Sequence, residues 1–322
     1  MTARVESGGR LHFGFLNLSL ARERLYGSLG VALDDPRVVV EADRADRVAC
    51  GNDRAREHAE RACDLLDVPG ADVDVRRELP VHTGLGSGTQ LALAVLAAVA
   101  DAYGVDARLR ERAPELGRGG RSGVGVATFE SGGFVLDAGH PTGRFTTERP
   151  PRGEWTVPPV AARHEVPGDW RFVLVLPDAD PGKAGGDEDA SMRAAVESAD
   201  AGVADRIAGE VTQRVLPALA TGDVDGFGAA VAEVGRLNGA WYADEQGGVY
   251  RPPAGALVDE LADSPAVAGA GQSSWGPAVY GVTDADRASE AAAAGERALA
   301  AAGVDGDVRV VSARNRGAAV DF

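Results

Sequence analysis

The amino-acid sequence predicts a mixed fold of helices and strands, of the α+β or α/β class, arranged as two domains. Segments with strand-like alternation and segments with helical spacing of apolar residues are interleaved along the chain, with glycine-rich loops between them. A length of 322 residues is sufficient for two domains. Residues 145–167 are rich in Pro, Arg and Thr and lack periodicity, so we place the domain junction in this stretch.

The first half of the chain contains the predicted strands 11–20, 37–41 and 72–79, which alternate or carry β-branched residues. Ala59, Cys63 and Leu66 recur at helical spacing and predict an amphipathic helix over residues 53–66. Residues 91–103 have almost no polar face. This pattern predicts a buried helix that ends at Gly104.

The second half opens with an apolar strand over residues 172–176, which Pro177 ends. Further helices are predicted over residues 190–220, 223–237, 254–262 and 284–302, and further strands over residues 266–270, 278–282 and 309–311. The Gly/Asp-rich loop 178–189 contains Lys183, and we expect this loop to act as a mobile lid.

Composition excludes several classes of protein. A formal net charge of −16 would repel a nucleic-acid backbone, so we expect no nucleic-acid partner. A hydrophobic content of 44% excludes disorder as the dominant state. The longest apolar stretch, residues 91–100, is shorter than the ~20 residues that span a bilayer. The N-terminal residues also lack a signal-peptide pattern, so we expect a cytoplasmic protein without a membrane partner.

The basic residues and cysteines indicate the cellular environment. Nearly all basic residues are arginines, and Lys183 is the only lysine. An excess of acidic residues with almost no lysine is typical of proteins from a salt-rich cytoplasm, so we expect a halophilic source. A genome of high GC content, which favours arginine codons, is the alternative explanation of this bias. Cys50 and Cys63 are too few for a disulfide framework and match no zinc spacing, so Cys63 is expected in the core.

A glycine-rich loop leads from a predicted strand into the buried helix, with glycines at positions 84, 86 and 88. A helix N-terminus carries about +0.5 of a charge and unpaired N–H groups, and glycines let the backbone approach an anion closely. We therefore interpret residues 84–89 as a binding site for a di- or triphosphate. A tight strand-to-helix turn without a ligand is the alternative. The spacing matches neither a Walker A loop nor a dinucleotide-binding fingerprint.

Three motifs resemble, in order, those of the GHMP small-molecule kinase superfamily. The segment P-V-H-T-G-L-G-S-G-T from Pro80 is similar to its phosphate loop. Residues 8–14, G-G-R-L-H-F-G, resemble its first motif, and residues 269–277, G-A-G-Q-S-S-W-G-P, its third. The resemblance implies a two-domain α+β fold with the substrate between the domains. Residues 1–155 would form a phosphate-binding domain like ribosomal protein S5 domain 2, and residues 156–322 a ferredoxin-like domain.

One difference from the kinases is informative. Superfamily kinases that use a catalytic aspartate carry it in a segment similar to S-G-x-D, whereas this chain has Gly125 in the aspartate's place, after Ser122. Arg10 replaces a lysine often found in the first motif. Such an aspartate can take the proton of the alcohol, and its absence disfavours phosphoryl transfer. Residues 84–95 (GLGSGTQLALAV), 117–140 (GRGGRSGVGVATFESGGFVLDAGH) and 269–277 (GAGQSSWGP) together are similar instead to the β-ribofuranosylaminobenzene 5′-phosphate synthases, a non-kinase branch.

That resemblance implies a glycosyltransferase of methanopterin-type biosynthesis. Such an enzyme joins phosphoribosyl pyrophosphate to 4-aminobenzoate or 4-hydroxybenzoate and releases carbon dioxide and pyrophosphate. The phosphate loop would hold the leaving pyrophosphate, together with Mg²⁺. An ATP-dependent GHMP-type kinase and a non-catalytic nucleotide- or phosphosugar-binding protein are the alternatives. The resemblance is compatible with a homodimer and names no metal ligands.

The candidate site residues lie in or beside these motifs. Because the implied substrates carry a 5′-phosphate, a pyrophosphate and a carboxylate, the candidate catalytic residues are Arg10, Arg118, Arg121 and Ser122. The candidates for phosphate binding are Gly84, Leu85, Gly86, Ser87, Gly88, Thr89, Gly269, Gly271, Ser273 and Ser274. The candidates for substrate contact are His12, His82, Glu130 and Trp275, and Glu130 and Asp137 could support Mg²⁺ or ribose hydroxyls. A surface or packing role is the alternative for each.

Overall fold

The computed structural model describes residues 2–180 and 186–321 of the chain. Its strands are β1 (Ala3–Asn17), β2 (Arg24–Arg44), β3 (Ala49–Cys50), β4 (Ala71–Arg77), β5 (Phe134–Asp137), β6 (His140–Pro141), β7 (Val160–His164), β8 (Trp170–Pro177), β9 (Gly269–Gln272), β10 (Val279–Asp284), β11 (Gly306–Ser312) and β12 (Ala319–Asp321).

The helices are α1 (Asp53–Leu66), α2 (Ser87–Tyr103), α3 (Leu109–Arg112), α4 (Val124–Ser131), α5 (Gly186–Ser198), α6 (Ala201–Glu210), α7 (Leu216–Thr221), α8 (Val224–Trp241), α9 (Ala243–Gln246), α10 (Ala254–Ala262) and α11 (Ala288–Ala302). A 3₁₀ turn spans Thr142–Arg144, and a π-helical turn spans Val211–Val215 between α6 and α7. Within the described residues, none of these helices combines the length and apolarity needed to cross a bilayer.

The first sheet is organised around β2, a strand of 21 residues. Its first part pairs with β6 and β5 and its last part with β4, while β1 runs antiparallel along most of its length. β3 pairs with β4 in parallel at one edge. β7 pairs with β5 and β12 pairs with β1, so segments beyond residue 155 complete this sheet. The division of the chain at residues 155 and 156 stays a prediction.

The second sheet is fully antiparallel, in the order β11-β8-β10-β9. Counted along the chain, these are its fourth, first, third and second strands, which is the strand order of a ferredoxin-like domain. α10 and α11 pack on one face of the sheet, and α8 packs on the other. The predicted mixed fold is therefore confirmed, and its class is α+β.

A continuous apolar core joins the two sheets. Leu11 and Phe13 of β1 pack in one buried cluster with Phe172 of β8, Phe227 of α8 and Tyr280 of β10. The rings of Phe13 and Tyr280 lie edge to face, with their centroids 5.1 Å apart. Burial of this apolar surface stabilises the contact between the sheets. It brings the β9–β10 loop of the second sheet against the first sheet, where the candidate site lies.

The two helices predicted in the first half of the chain are confirmed. α1 spans Asp53–Leu66, and the side chain of Asn52 caps it by accepting a hydrogen bond from the Ala55 amide at 3.0 Å. Twelve of the 17 residues of α2 are buried, as its lack of a polar face requires. α2 ends at Gly104, whose φ of 66° is left-handed. Cys63 is buried in the core of α1 and α2.

Several element bounds differ from the sequence prediction. The strand predicted over residues 266–270 lies at Gly269–Gln272, and the helix predicted from residue 284 begins at Ala288. The segment 145–167, predicted to be irregular, contains β7. β7 shows no apolar alternation because its regular structure comes from pairing with β5, a contact that depends on tertiary structure.

Candidate active site

A cleft of about 1460 Å³ opens where the loops of the two sheets meet. It is lined by parts of β1 and β2, by α1 and the start of α2, by residues 117–122 and 140–156, by α5 and by the β9–β10 loop. Among the described lining residues are eight arginines (Arg10, Arg54, Arg118, Arg121, Arg144, Arg149, Arg152 and Arg193) and four carboxylates (Glu57, Glu148, Glu154 and Asp189). This part of a chain with net charge −16 therefore attracts anions.

The phosphate loop is held in place by the third motif. Ser273 Oγ donates a hydrogen bond to the Gly84 carbonyl at 2.8 Å and accepts one from the His12 amide at 3.1 Å. A Cβ on Gly84 would lie 2.1 Å from the Ser273 carbonyl oxygen, and one on Gly276 would lie 2.0 Å from the backbone carbon of Thr83. Only glycine permits these approaches. The three motifs that the sequence singles out thus meet at one place.

The start of α2 carries unpaired amide groups. Gly86 precedes the helix in a left-handed conformation, with φ 81°, and no side chain caps the helix. The Gly86 carbonyl accepts hydrogen bonds from the amides of Thr89 and Gln90 at 3.0 Å. The amides of Ser87 and Gly88 have no acceptor among the described residues. Because residues 86–89 line the cleft, these amides and the positive end of the helix dipole are available to an anion.

Arg10 joins β1 to this loop. Its amide donates to the Leu85 carbonyl at 3.0 Å, and its guanidinium donates through Nη1 to the Gly84 carbonyl. The Leu85 side chain is fully buried in the core between the sheets, so Leu85 contributes only backbone to the loop. The positive charge of Arg10 therefore lies beside the start of α2, on the cleft wall.

Arg118 lies directly against the start of α2. A Cβ on Gly88 would be 3.0 Å from Nη1 of Arg118, and Nε of Arg118 is buried with no acceptor among the described residues. Burial, together with the like charges of Arg149, Arg152 and Arg54, lowers the pKa of Arg118 to about 10, so the side chain remains charged at neutral pH. A cation beside the positive end of a helix dipole is stabilised when an anion binds between them.

We call the group around Arg118 the cationic end of the cleft; it consists of Arg54, His58, Arg118, Arg149, Arg152 and Trp155. The guanidinium of Arg149 lies 5.5 Å from the Trp155 ring centroid. Trp155 Nε1 donates to the Arg118 carbonyl at 2.9 Å. Burial and the charge of Arg118 lower the pKa of His58 to about 4, so His58 is neutral at neutral pH. This end presents several cations with few apolar groups.

We call a second part of the cleft the aromatic end; it consists of His12, Phe15, Leu25, Tyr26, His140, Phe145, Met192 and Trp275. Four of its rings form a row: the centroids of His12 and Phe15 are 5.1 Å apart, those of Phe15 and Tyr26 5.8 Å, and those of Tyr26 and His140 6.3 Å. Burial and the charge of Arg10 lower the pKa of His12 to about 3. This surface is suited to a flat aromatic ligand.

Ser122 lines the cleft and is held by a buried carboxylate. Ser122 Oγ lies 2.6 Å from Ser28 Oγ, and Ser28 donates to Oδ2 of Asp137. The two Asp137 carboxylate oxygens also accept the amides of Gly123 and Gly139, each at 2.9 Å. Burial raises the pKa of Asp137 to about 6. Asp137 is fully buried, so it acts on the cleft through Ser28 and Ser122.

The remaining sequence candidates are distributed unevenly. Arg121 lines the cleft and is paired with Asp189 of α5, and His82, Ser274 and Trp275 also line it. The structure does not bring Glu130, Gly269, Gly271 or the fully buried Ser273 to the cleft. Glu130 pairs with Arg110 at 2.6 Å. Gly269 packs against α8 and Gly271 against Tyr280, so close packing accounts for both glycines. The loop residue Lys183 lies outside the described residues.

The described residues do not provide a magnesium site built from protein ligands. Within them there is no group of three or more His, Cys, Asp or Glu placed to hold a metal ion. The two carboxylates that α1 and α5 bring to the cleft, Glu57 and Asp189, are paired with Arg152 and Arg121. No step of the chemistry below is therefore assigned to a metal.

Sequence reasoning missed much of this lining. It did not identify Arg54 and His58 on α1, or Tyr26 and His140 at the aromatic end. It interpreted the stretch after residue 144 only as a domain junction, although residues 144–156 form one wall of the cleft. A signal was present, since residues 144–155 contain three arginines and a tryptophan in an otherwise acidic chain.

The chain matches known families over most of its length. Residues 53–133 match the family described as GHMP kinases N terminal domain, and residues 215–301 match GHMP kinases C terminal. A beta-ribofuranosylphenol 5′-phosphate synthase from Methanothermobacter thermautotrophicus is 34% identical, over 98% of this chain and 97% of that protein. One from Archaeoglobus fulgidus is 32% identical over 99% of each chain. The chain belongs to the beta-ribofuranosylphenol 5′-phosphate synthase family.

Solved structures agree with this assignment at the level of the fold. A homoserine kinase from Cytophaga hutchinsonii has a TM-score of 0.68 at 17% identity, covering 99% of this chain and 97% of that one. A mevalonate kinase from Methanococcus jannaschii has a TM-score of 0.65 at 14% identity, covering 97% and 98%. The GHMP-kinase-like two-domain fold implied by the three motifs is thereby confirmed for this member of the synthase family.

Proposed function

We propose that the chain is a pentosyltransferase that joins phosphoribosyl pyrophosphate to 4-hydroxybenzoate and releases carbon dioxide and pyrophosphate. The observation that carries this proposal is the cleft itself, in which a cationic end and an aromatic end meet at the unpaired amides of α2. The relatives' name specifies a ribofuranosylphenol phosphate. Loss of the carboxylate from 4-hydroxybenzoate gives a phenol, and 4-aminobenzoate is the alternative acceptor.

The phosphosugar fits the cationic end and the start of α2. We assign the pyrophosphate to the amides of Ser87 and Gly88, flanked by Arg10 and Arg118, and the 5′-phosphate to the remaining arginines of the cationic end. Negative charge grows on the pyrophosphate as its bond to the ribose C1 breaks. Fixed amide dipoles and guanidinium groups stabilise that charge without having to reorganise. Mg²⁺, which binds readily through substrate phosphates, would enter with the pyrophosphate.

The aromatic acceptor fits the aromatic end. Its carboxyl-bearing ring carbon attacks the ribose C1, and the electron density for that attack comes from the para hydroxyl across the ring. Loss of carbon dioxide then restores the aromatic ring. The row of rings from His12 to His140 can orient the acceptor in the plane that this attack requires, and orientation is the main contribution a protein can make to such a step.

The kinase alternative is disfavoured by the lining of the cleft. Gly125 packs against α2, where a Cβ would lie 3.2 Å from Cγ2 of Thr89, and it offers no carboxylate to an alcohol. Glu57 and Asp189 are both engaged by arginines. These features favour a substrate with several anionic groups over ATP.

The test supplies the purified chain with phosphoribosyl pyrophosphate, Mg²⁺ and carboxyl-labelled 4-hydroxybenzoate. Labelled carbon dioxide and pyrophosphate are expected in equal amounts. A parallel reaction contains ATP with homoserine or mevalonate, where no ADP is expected. The proposal is overturned if neither benzoate releases labelled carbon dioxide. ADP formation that depends on the alcohol would then identify a kinase, and binding of phosphoribosyl pyrophosphate without turnover would identify a non-catalytic binder.

A further inference from the structure

His140 has an unused hydrogen-bonding nitrogen at the aromatic end. The residue lies on the two-residue strand β6, lines the cleft and is 8% exposed. Its Nε2 is buried and has no partner among the described residues. The backbone of Gly120 also interacts with the ring and raises its pKa, as a carbonyl that accepts from a ring nitrogen does. Because Nε2 has no partner among the described residues, we assign the proton to Nδ1, toward Gly120, which leaves the lone pair on Nε2.

The groups around His140 keep the imidazole neutral. Arg144, from the turn after β6, and Arg24, from β2, are the cations that act on it, and both lower its pKa in addition to burial. Tyr26 faces it edge-on at 6.3 Å. Arg121, which interacts with Tyr26, carries its charge next to that ring and is paired with Asp189. A neutral imidazole with a free lone pair is suited to accept a proton.

The series of neighbouring rings connects His140 to the third motif, which holds the phosphate loop. His12, at one end of the row, is bonded to the third motif through its amide and through its carbonyl, which accepts from the Ser274 amide at 3.2 Å. His140 is at the other end. An acceptor must present its carboxyl-bearing carbon to the ribose, beside the phosphate loop. Its para hydroxyl then lies across the ring, directed away from that loop.

We propose that Nε2 of His140 binds the para hydroxyl of the aromatic acceptor and takes its proton during attack, so that His140 is a catalytic residue. This inference rests on the proposed function. As the proton moves to Nε2, the oxygen becomes a carbonyl and the carboxyl-bearing carbon bonds to ribose C1. The C1–O pair leaves with pyrophosphate. The electron pair of the bond to the departing carbon dioxide then restores the ring, and the proton returns from His140 to the oxygen.

This assignment predicts how the acceptor's acidity should affect the rate. A base matters only when the hydroxyl carries a proton at the pH of the reaction. An acceptor whose hydroxyl is already ionised at neutral pH, such as 3,5-difluoro-4-hydroxybenzoate, needs no proton acceptor. The contribution of His140 should therefore be large for 4-hydroxybenzoate and small for the difluoro analogue, which a purely structural role of the side chain would not produce.

The experiment compares the wild type with His140→Phe, which keeps a ring but has no acceptor atom, on both acceptors. For 4-hydroxybenzoate at neutral pH, kcat should fall by about 10²–10³-fold, within the usual range for general base catalysis. For the difluoro analogue the loss should be less than about 10-fold. The deficit on 4-hydroxybenzoate should also shrink as the pH is raised. His164→Phe, on β7 outside the cleft, is the matched control and should leave kcat unchanged.

Two outcomes would overturn the assignment. One is an unchanged kcat in His140→Phe, and the other is an equal loss on both acceptors at every pH. His140→Gln, which retains an acceptor oxygen and a similar size, covers the case in which His140→Phe does not fold, and it should show the same dependence on the acceptor. A wild type without synthase activity contradicts the proposed function, whereas an active wild type with an equally active variant contradicts only the role of His140.

Discussion

The two ends of the cleft are built in different ways. The cationic end consists of long charged side chains from α1, from residues 117–122 and from residues 144–156, and most of them are partly exposed. The aromatic end consists of rings from β1, β2 and β6, with Met192 of α5 and Trp275 of the β9–β10 loop, and several of these side chains are buried. Charge acts over a distance and tolerates mobile side chains, whereas ring contacts act only at short range and need a rigid support.

The two ends also differ in where the charge lies. At the cationic end the charge of Arg118 persists despite burial, because an arginine with a pKa of about 10 is still protonated at neutral pH. At the aromatic end, burial keeps His12 neutral, with a pKa of about 3, and lowers the pKa of His140 as well. One end is therefore prepared to bind anions and the other to hold a neutral ring and exchange a proton.

The largest effect that separates the ends is expected from Arg118→Met. This change removes a charged partner of the phosphates, and charge-assisted hydrogen bonds contribute about 1.5–3 kcal/mol. The KM for phosphoribosyl pyrophosphate should rise roughly 10- to 100-fold, by the conversion of about 1.4 kcal/mol per factor of ten, while the KM for 4-hydroxybenzoate should stay within about twofold. Steady-state kinetics with each substrate varied in turn measures both values.

Arg56→Met is the control for that variant. Arg56 lies on α1, the helix that contributes Arg54 to the cationic end, but it pairs with Asp53 at 3.5 Å and does not line the cleft, so neither KM should change. A rise in the acceptor KM as large as the rise in the phosphoribosyl pyrophosphate KM would mean that the two ends do not bind separate substrates.

A smaller effect should distinguish the two tryptophans. Trp275→Phe replaces the indole at the aromatic end, whose ring centroid lies 4.4 Å from that of Tyr242, with a smaller ring. The KM for the benzoate should rise several-fold, since aromatic pairs contribute about 0.5–1.5 kcal/mol. Trp155→Phe removes the hydrogen bond to the Arg118 carbonyl, so the KM for phosphoribosyl pyrophosphate should rise by a similar factor. Steady-state kinetics of each variant with each substrate varied in turn checks both changes, and the same response to both substrates would count against the division.

The smallest effect on substrate binding is expected from Asp137→Asn. Asp137 is buried beneath Ser122, to which it is linked through the Ser28 hydroxyl. Both KM values should change less than about twofold, because an amide keeps a hydrogen bond to Ser28. The quantity to measure is the stability of the fold as a function of pH. The pKa of Asp137 is about 6 in the fold and near 3.8 when unfolded, so between these values the native state binds more protons. This carboxyl therefore makes the wild type less stable as the pH rises from about 4 to about 6.

Removing the carboxyl removes that contribution. Thermal melts of Asp137→Asn across the same pH range should show a weaker decline than the wild type, with the difference between the two growing toward higher pH. If the melting temperatures of the two proteins change in parallel with pH, the carboxyl titrates at its ordinary pKa and its burial under Ser122 does not affect its ionisation.

Much of the phosphate loop could be predicted because its requirements are local. Gly84 and Gly86 have left-handed φ values of 96° and 81°, and a glycine pattern before an apolar helix announces such a turn. The helix over Asp53–Leu66 could be predicted because its burial follows the helical period. Ser273 was a candidate for phosphate binding through the third motif, but it is fully buried and bonds to the Gly84 carbonyl instead, a contact between residues far apart in the chain.

The rest of the site could not be predicted, because it depends on which distant segments meet. Glu130 was a candidate because it follows a glycine-rich segment, yet it forms an ion pair with Arg110 away from the cleft. Tyr26 and His140 carry no motif, and their rings come together only through the pairing of β2 with β6. Arg149 and Arg152 lie in a stretch without periodicity, where local pattern gives no information about which surface a side chain will face.

The sequence by itself determined the family, the α+β class and the glycine turn at the start of α2, because glycine spacing and apolar period act on the nearest neighbours of each residue. Only the tertiary structure decided that arginines and rings from distant segments gather in one cleft around the loop, and that Nε2 of His140 has no partner among the described residues. Burial and strand pairing set those properties, and both depend on contacts between residues distant in the chain.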